Sequence, residues 1–449
     1  MNVKLLLIIL ILVGAFAVRF IPVFAYEYPL KYDSYWHARM AELFKSKGFV
    51  SEIPWPEPRP NFYVPGYHIL LAFLSLISGV STLQISRFII AAASWSLCLT
   101  PFLFKKHLKE KTYLSIFFLA FLPFIINASY DSPEIISVLL GLTALYFIEN
   151  KKYFHSCIFI FLSSFFNIFG FLLVSVPILS LLFLEKEKKY WVFAPALSFL
   201  LIYYLPLLSQ ASSFSNEFGT EFVSKTIDYW MKYYTPAILL GLFTCLFFIP
   251  KKQSNFEKAM FIWFLISCTL FLTHYFTQAF HPWRYPLFIS ISFSLLLPSF
   301  INKTKNSLIP ISCIVLAVCL ILVGYLNSYV QTPPFTKADY LIFEKASEKN
   351  GTLLGSYTSC GLILTLFNKS CELDLYFESL PNFKKWKDFE SIFWTSNPDF
   401  VEDILKKYGV DYVVFSTSDW GAFNLDAYKH ERIAITWNEY GEGALYRVK

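Results

Sequence analysis

Apolar runs long enough to cross a bilayer recur along most of the chain. A span needs roughly 20 predominantly apolar residues. Such runs fall at 3–24, 85–104, 112–129, 134–149, 154–168, 170–184, 191–209, 234–249, 259–276, 285–300 and 307–326. They predict about eleven transmembrane helices. No small-residue cleavage site follows the first run, and many more runs come after it, so residues 3–24 are read as helix one rather than a removed signal. The polar breaks differ in charge. Those holding Lys105, Lys106, Lys109 and Lys111; Lys151 and Lys152; Lys186, Lys188 and Lys189; Lys251, Lys252 and Lys258; and Lys303 and Lys305 are rich in cations. The breaks 127–133, 210–233 and 277–284 hold only Lys225, Lys232 and Arg284. The positive-inside rule puts the first set on the cytoplasmic side and the second set outside. Residues 65–80 (PGYHILLAFLSLISGV) are also apolar, but they are few and open with Pro-Gly. A crossing there would invert every later loop, so the segment is read as an interfacial or re-entrant helix.

From residue 327 the pattern changes to shorter, more charged stretches. LLGSY (353–357) and DYVVFS (411–416) predict strands, and DFVEDILKKY (399–408) predicts a helix stopped by Gly409. Residues 435–448 predict a hairpin around Gly441 and Gly443. The expected fold class is therefore a polytopic α-helical membrane protein, carrying a C-terminal extracytoplasmic α/β domain. The expected division is 1–326 for the membrane part, with a long first external loop at 25–84, and 327–449 for the outer domain. The expected location is the cell membrane, crossed several times.

Composition agrees with this picture. Hydrophobic residues make up 56% and charged residues 16%, more apolar surface than a soluble chain could hide. The net charge of +6 sits mostly in short loops, which argues against a nucleic-acid partner. The eight Cys show no CxxC spacing, and six lie in or beside apolar runs. Cys360 and Cys371 both fall in the outer domain and are a candidate disulfide pair. Asn368-Lys369-Ser370 matches an N-glycosylation acceptor.

Candidate chemistry clusters in the external segments. In YDSYWHARMAELFKSKGF (32–49), Trp36, Met40, Leu43 and Phe44 form one apolar stripe, which predicts an amphipathic helix lying on the outer interface. Asp33 stands where an N-cap belongs and one turn from His37. It either caps the helix or serves as a general base whose basicity is raised by partial desolvation. Asp131 and Glu134 in NASYDSPEIIS (127–137) are either a solvated turn and a first-turn acid or functional carboxylates at membrane depth. Converging with Asp33, they could hold Mg²⁺ or Mn²⁺ through oxygen ligands. In QAFHPWRYP (278–286), Arg284 and His281 either grip a phosphate or, with Trp283 and Tyr285, anchor the chain at the interface. His68 in VPGYH and Arg87 are further outer-face candidates, each of which read singly is a structural residue. Acids and bases beside lipid suit transfer of a group from a lipid phosphate to an external acceptor.

The order of these pieces resembles a known superfamily. Arg19 lies near the end of the first helix, and D-x-Y-x-H-x-R follows as Asp33, Tyr35, His37 and Arg39. Tyr63 to His68 (YVPGYH) come next, then SYDSPE and an outer domain. This resembles the GT-C integral membrane glycosyltransferases, above all their archaeal and bacterial oligosaccharyltransferase-like branch. The resemblance implies a polyprenyl-phosphate-linked or diphosphate-linked sugar donor, with a glycan, lipid or protein as acceptor. It implies Asp33 as the catalytic carboxylate, Asp131 and Glu134 as second-loop acids that bind acceptor or metal, and Arg284 as a contact to the donor phosphate. His281 would help Arg284, and His37 and His68 would support the site. Two departures count against peptide glycosylation. A WWDYG motif is absent, since Asp419-Trp420-Gly421 comes too late, and the second motif reads D-x-x-E rather than D-x-E. The expected activity is therefore transfer of a sugar from a polyprenyl-phosphate donor. The alternatives are an oligosaccharyltransferase-like catalytic subunit and a non-catalytic flippase or scaffold, the last disfavoured by the scarcity of mid-span charges.

Overall fold

The computed structural model describes all residues except 1–2, 27–28, 30–31, 55–57, 62, 129, 131, 212–252, 278–283, 304–335, 373–382, 393–394, 396, 418–429 and 439–440. The expected spans 234–249 and 307–326, and the expected boundary at 326/327, lie outside the described residues.

The apolar runs become helices. Helix α1 is Val3–Ala25, α2 is Tyr32–Lys47, α3 is Gly66–Ser78 and α4 is Thr82–Leu97. A short strand pair, β1 (Glu52–Ile53) and β2 (Arg59–Pro60), lies between α2 and α3. Then come α5 (Thr112–Phe121), α6 (Pro123–Ala128), α7 (Glu134–Glu149), α8 (Tyr153–Phe166) and α9 (Ile168–Leu184). Helices α10 (Ala194–Ala211), α11 (Asn255–Thr277) and α12 (Tyr285–Lys303) complete the described bundle. Among the described residues, Val3–Ala25, Thr82–Phe102 and Asn255–Thr273 are long and apolar enough to cross a membrane, and six shorter apolar helices accompany them. Along α1, Val3, Leu6, Leu10, Val13, Ile21 and Phe24 stay exposed, an apolar surface that water would penalise and lipid would cover. At 13 residues, α3 is about 20 Å long, short of a bilayer core of about 30 Å. It buries Tyr67, His68, Leu71 and Ala72 and leaves Phe73, Leu76 and Ile77 exposed.

A buried arginine explains how the break between α5 and α6 is tolerated. Leu122 is extended at φ −67° and ψ 123°, and Pro123 has no N–H to return to the Leu119 carbonyl. Arg19, fully buried on α1, takes over. Its Nη2 donates to the Leu119 carbonyl at 2.9 Å and its Nη1 to the Ala120 carbonyl at 2.8 Å. Its Nε donates to Ser94 Oγ on α4 at 2.8 Å. One side chain thus satisfies the loose end of α5 and ties three helices together.

Helices α7, α8 and α9 meet through small and polar residues. Ser137 Oγ lies 2.8 Å from Ser163 Oγ and donates to the Asn167 carbonyl at 3.1 Å. Gly141 admits Val174, where a Cβ would come within 2.2 Å of its side chain. Such contacts let apolar helices approach without a hydrophobic drive.

The C-terminal part is an α/β unit. Strands β3 (Leu353–Gly355), β4 (Tyr412–Phe415), β5 (Glu431–Asn438) and β6 (Gly441–Arg447) form one sheet in the order β3-β4-β6-β5. Strands β3 and β4 are parallel, and the other pairs are antiparallel. Helices α13 (Lys337–Ser347), α14 (Tyr357–Phe367), α15 (Phe383–Ile392) and α16 (Pro398–Lys407) accompany it. Gly409, at φ +61°, follows α16 in the left-handed region that an L side chain resists. The hairpin turns between Asn438 and Gly441, so Gly443 lies inside β6 rather than in the turn. Its partner is Thr436, whose Cγ2 would meet a Cβ at 3.0 Å. Cys360 and Cys371 are buried in the core of this unit and are not joined to each other as a disulfide.

The stripe on α2 faces protein instead of the outer interface. Trp36, Met40, Leu43 and Phe44 are buried with Tyr67 and Leu71 of α3 and Ile90 of α4. The opposite side carries Tyr35 into the core of the α/β unit, beside Ile342, Phe343 and Val413. Thr365 Oγ1 of α14 donates to the Tyr35 carbonyl at 3.3 Å, and Arg39 hydrogen-bonds Asn368 Oδ1. Asn368 is thus engaged at the left-handed C-cap of α14. Packed on both sides, α2 is a rigid mount for what it carries.

Candidate active site

Asp33 is the second residue of α2, inside the first turn rather than at the cap before it. Its side chain is exposed at the protein surface. It stands at the positive end of the helix dipole. Its neighbour Ser34 donates through Oγ to the Tyr130 carbonyl at 2.9 Å, and Tyr130 Oη donates to the Val18 carbonyl at 3.0 Å. The start of α2 is therefore tied to the SYDSPE segment and to α1.

One turn on, His37 is buried, and its Nδ1 lies 2.9 Å from Nε2 of buried His68 on α3. Burial holds the His37 imidazole well below its ordinary range, and His68 and Arg284 add to the effect. Burial likewise lowers His68 to about 3. Both rings are neutral at pH 7, so within the pair one nitrogen donates and the other accepts. Rings of Trp36 and Tyr63 enclose them, with the Tyr63 centroid 5.0 Å from that of His37 and 5.2 Å from that of His68.

Tyr63 is held from several sides. Its backbone N–H donates to Asn61 Oδ1 at 3.1 Å, and Tyr203 Oη of α10 donates to the Tyr63 carbonyl at 2.6 Å. Its hydroxyl accepts from Asn167 Nδ2 at 3.0 Å. Gly66, just after it, lies so close to α8 that a Cβ would come within 2.4 Å of the Phe165 carbonyl oxygen. Burial pushes ionisation of the Tyr63 phenol well above its ordinary range; Glu134 adds to the shift, Arg284 and the Asn167 hydrogen bond oppose it, and Asp33 adds a smaller part. Tyr63 thus sits within electrostatic reach of Asp33, Glu134 and Arg284.

Glu134 opens α7 and is buried. Its Oε1 accepts from Arg284 Nη1 at 2.6 Å, and the Arg284 guanidinium lies over the Phe169 ring at 4.6 Å from the centroid. Arg284 is half-buried just before α12, so a flat cation is fixed between a carboxylate and an aromatic face.

Asp33, His37, His68, Glu134 and Arg284 are therefore brought to one end of the bundle, the end that meets the α/β unit. Asp131 and His281 lie outside the described residues. Arg87 binds the Val23 and Tyr26 carbonyls and closes the end of α1, a structural task. Tyr63, Asn167 and Phe169 were not predicted as site residues. Tyr63 opens the YVPGYH segment and Asn167 marks the α8–α9 junction, but neither position announces a role at the site. Among the described residues, no group of three or more His, Cys, Asp and Glu is arranged to hold a metal ion. Glu134 already faces a guanidinium, which disfavours a second cation there. The described residues do not form a cation cage.

No protein-family model and no curated protein matches the sequence. Solved structures do match. ArnT from Cupriavidus metallidurans bound to undecaprenyl phosphate superposes with TM-score 0.57 at 11% identity, over 99% of this chain and 97% of that one. The fold is that of the GT-C glycosyltransferases. The archaeal oligosaccharyltransferase AglB from Archaeoglobus fulgidus, in complex with an inhibitory peptide and a dolichol-phosphate, matches with TM-score 0.55 at 13% identity, over 99% of this chain and 74% of that one. The arabinofuranosyltransferase AftD from Mycobacteria matches with TM-score 0.54 at 14% identity, over 97% of this chain but 41% of its own length. At these identities the likeness to the GT-C enzymes is one of fold.

Proposed function

We propose that this chain is an inverting membrane glycosyltransferase that moves a sugar from a polyprenyl-phosphate donor to an acceptor on the outer face of the membrane. The membrane part would be residues 1–326, with about eleven spans, and residues 327–449 would form the extracytoplasmic domain. The observation that carries the reading is Arg284, fixed by Glu134 and Phe169 at the same end of the bundle as the exposed carboxylate of Asp33. Such an end offers a cation to a lipid phosphate and a base to a hydroxyl.

The reaction balances with these two groups. Asp33 takes the proton of the acceptor hydroxyl while that oxygen bonds to the anomeric carbon from the face opposite the phosphate. The bond from the anomeric carbon to the phosphate oxygen breaks, and its electron pair stays on the phosphate. Arg284, with His281 beside it in sequence, neutralises that charge, as preorganised donors do for developing anions. Glu134 holds Arg284 in place, and Asp131 and Glu134 orient the acceptor. His37 and His68 brace α2 against α3 and so fix the height of Asp33. An acceptor asparagine remains a second reading because AglB shares the fold. The missing WWDYG motif and the D-x-x-E spacing of Asp131 and Glu134 favour the simpler transferase.

The test is turnover by membranes holding the full chain. Polyprenyl-phosphate sugars labelled in the sugar are supplied with total lipid and glycan acceptors. Label should leave the donor with wild type and stay on it with Asp33→Asn. Equal turnover by the variant would remove Asp33 from the reaction.

A further inference from the structure

We propose that Tyr63 is a substrate-binding residue whose phenolic O–H donates a hydrogen bond to an oxygen of the donor's phosphate, at the end of the bundle that holds Arg284. The inference rests on the glycosyltransferase reading and deepens it.

It starts from the orientation of one amide. Asn167 is the N-cap of α9, and its Oδ1 accepts from the Gly170 N–H at 2.9 Å. That bond fixes which side of the amide is oxygen, because a backbone N–H cannot donate to an NH₂ group. The Nδ2 end therefore faces Tyr63, and at 3.0 Å it donates to the phenol oxygen. Tyr63 is the acceptor in that bond, so its own single proton points elsewhere. Among the described residues, the bond from Asn167 is the one hydrogen bond this hydroxyl makes.

The surroundings say what such a donor is for. The ring is wedged among Trp36, His37 and His68, with centroids 5.5, 5.0 and 5.2 Å away. The backbone on either side is pinned by Asn61 and Tyr203. The hydroxyl cannot swing far and is preorganised. It lies in the field of Arg284, and burial keeps it a neutral phenol, so it remains a donor at any physiological pH. Glu134 is already matched by Arg284, which leaves the phenol proton for an incoming oxygen. Asn167, which holds the phenol oxygen, caps α9, and Phe169, which carries the Arg284 guanidinium on its ring, lies two residues on in the same first turn. A neutral O–H and a guanidinium anchored on one helix turn suit an anion of phosphate type. The proton stays on Tyr63 throughout; the contribution is a hydrogen bond, not a transfer.

The experiment measures binding of polyprenyl monophosphate and of the matching polyprenol to the purified full chain in detergent, for wild type and Tyr63→Phe. Thermal unfolding is followed in parallel. Wild type should prefer the phosphate. Tyr63→Phe should weaken phosphate binding by about tenfold or more, the size of one hydrogen bond to a charged group, and leave polyprenol binding unchanged. Equal phosphate binding by the variant would overturn the role of Tyr63 while the donor reading stands. No preference for phosphate in wild type would overturn the donor reading itself. Competition by inorganic phosphate at concentrations equal to the lipid would overturn the lipid assignment. If Tyr63→Phe unfolds, 2,3-difluorotyrosine placed at position 63 keeps ring and hydroxyl and makes the proton a better donor. It should tighten phosphate binding, and unchanged affinity would overturn the proposal.

Discussion

Arg284 Nη1 and Glu134 Oε1 are 2.6 Å apart although 150 positions separate them in the chain. The Glu134 side chain is 9% exposed and that of Arg284 23%. The pair therefore has too little water around it to count as a surface ion pair. Removing one partner from a fully buried pair costs about 3–5 kcal/mol, and the exposure of Arg284 puts this one at the low end, about 3 kcal/mol. Glu134→Ala should lower the thermal midpoint of the detergent-purified protein accordingly. Arg284→Lys keeps the charge but loses the planar fork and its stacking on Phe169. It should reduce sugar transfer by roughly 10²-fold with less loss of stability than Glu134→Ala.

Arg19 makes a different kind of prediction, because nothing at the site depends on it directly. Arg19→Leu strands the Leu119 carbonyl, which Pro123 leaves without a helical partner, and the Ala120 carbonyl at the end of α5. Each buried carbonyl left unpaired costs about 1–3 kcal/mol. The variant should unfold or aggregate on purification, as seen by size-exclusion chromatography. Arg19→Lys should recover part of the yield, since an ammonium supplies donors without the reach to serve both α4 and α5.

Two glycines separate a packing requirement from a turn requirement. A Cβ on Gly170 would meet Ser137 Cβ at 2.6 Å and Oγ at 2.7 Å. Gly170→Ala should cost about 1–3 kcal/mol by overpacking. It should also reduce transfer, because α9 starts with Asn167 at its cap and Phe169 in its first turn. Gly79, at φ +69°, has nothing within 4 Å of a Cβ. Gly79→Ala should cost about 1 kcal/mol of strain at the end of α3 and leave transfer unchanged.

The imidazole pair sets an acid limit on stability. His68 is lowered to about 3 and His37 is also lowered, so the folded chain binds fewer protons than the unfolded chain below the ordinary histidine value of about 6.5. Their contribution is complete above about pH 6.5 and is lost as pH falls toward the folded values. Each imidazole adds a slope of at most about 1.4 kcal/mol per pH unit. The thermal midpoint should drop between pH 7 and pH 5, and the double variant His37→Gln/His68→Gln should flatten that dependence.

The helices were legible because the chain repeats long apolar runs, and α7, α8 and α9 fall within two residues of the expected runs wherever they can be compared. The acids and bases of the site were legible because charged groups among apolar ones are conspicuous. Their environments were not. The stripe on α2 has the periodicity of any helix with one apolar side, and nothing in that period distinguishes lipid from α3 and α4 as the cover. The exposed first-turn position of Asp33 depends on how α2 meets its neighbours, which the local sequence does not encode. Tyr63 and Asn167 carry no charge, and their pairing across 104 positions follows from the approach of Gly66 to α8. Cys360 and Cys371 share a core without bonding, which spacing along the chain cannot decide.

The most direct measurement is a mass profile of surface glycans and glycolipids from a strain lacking this chain, complemented with either wild type or Asp33→Asn. The expected result is one missing sugar increment in the deletion strain, restored by wild type and not by the variant. A profile that the deletion leaves unchanged, or that Asp33→Asn restores in full, would contradict a glycosyltransferase working through Asp33.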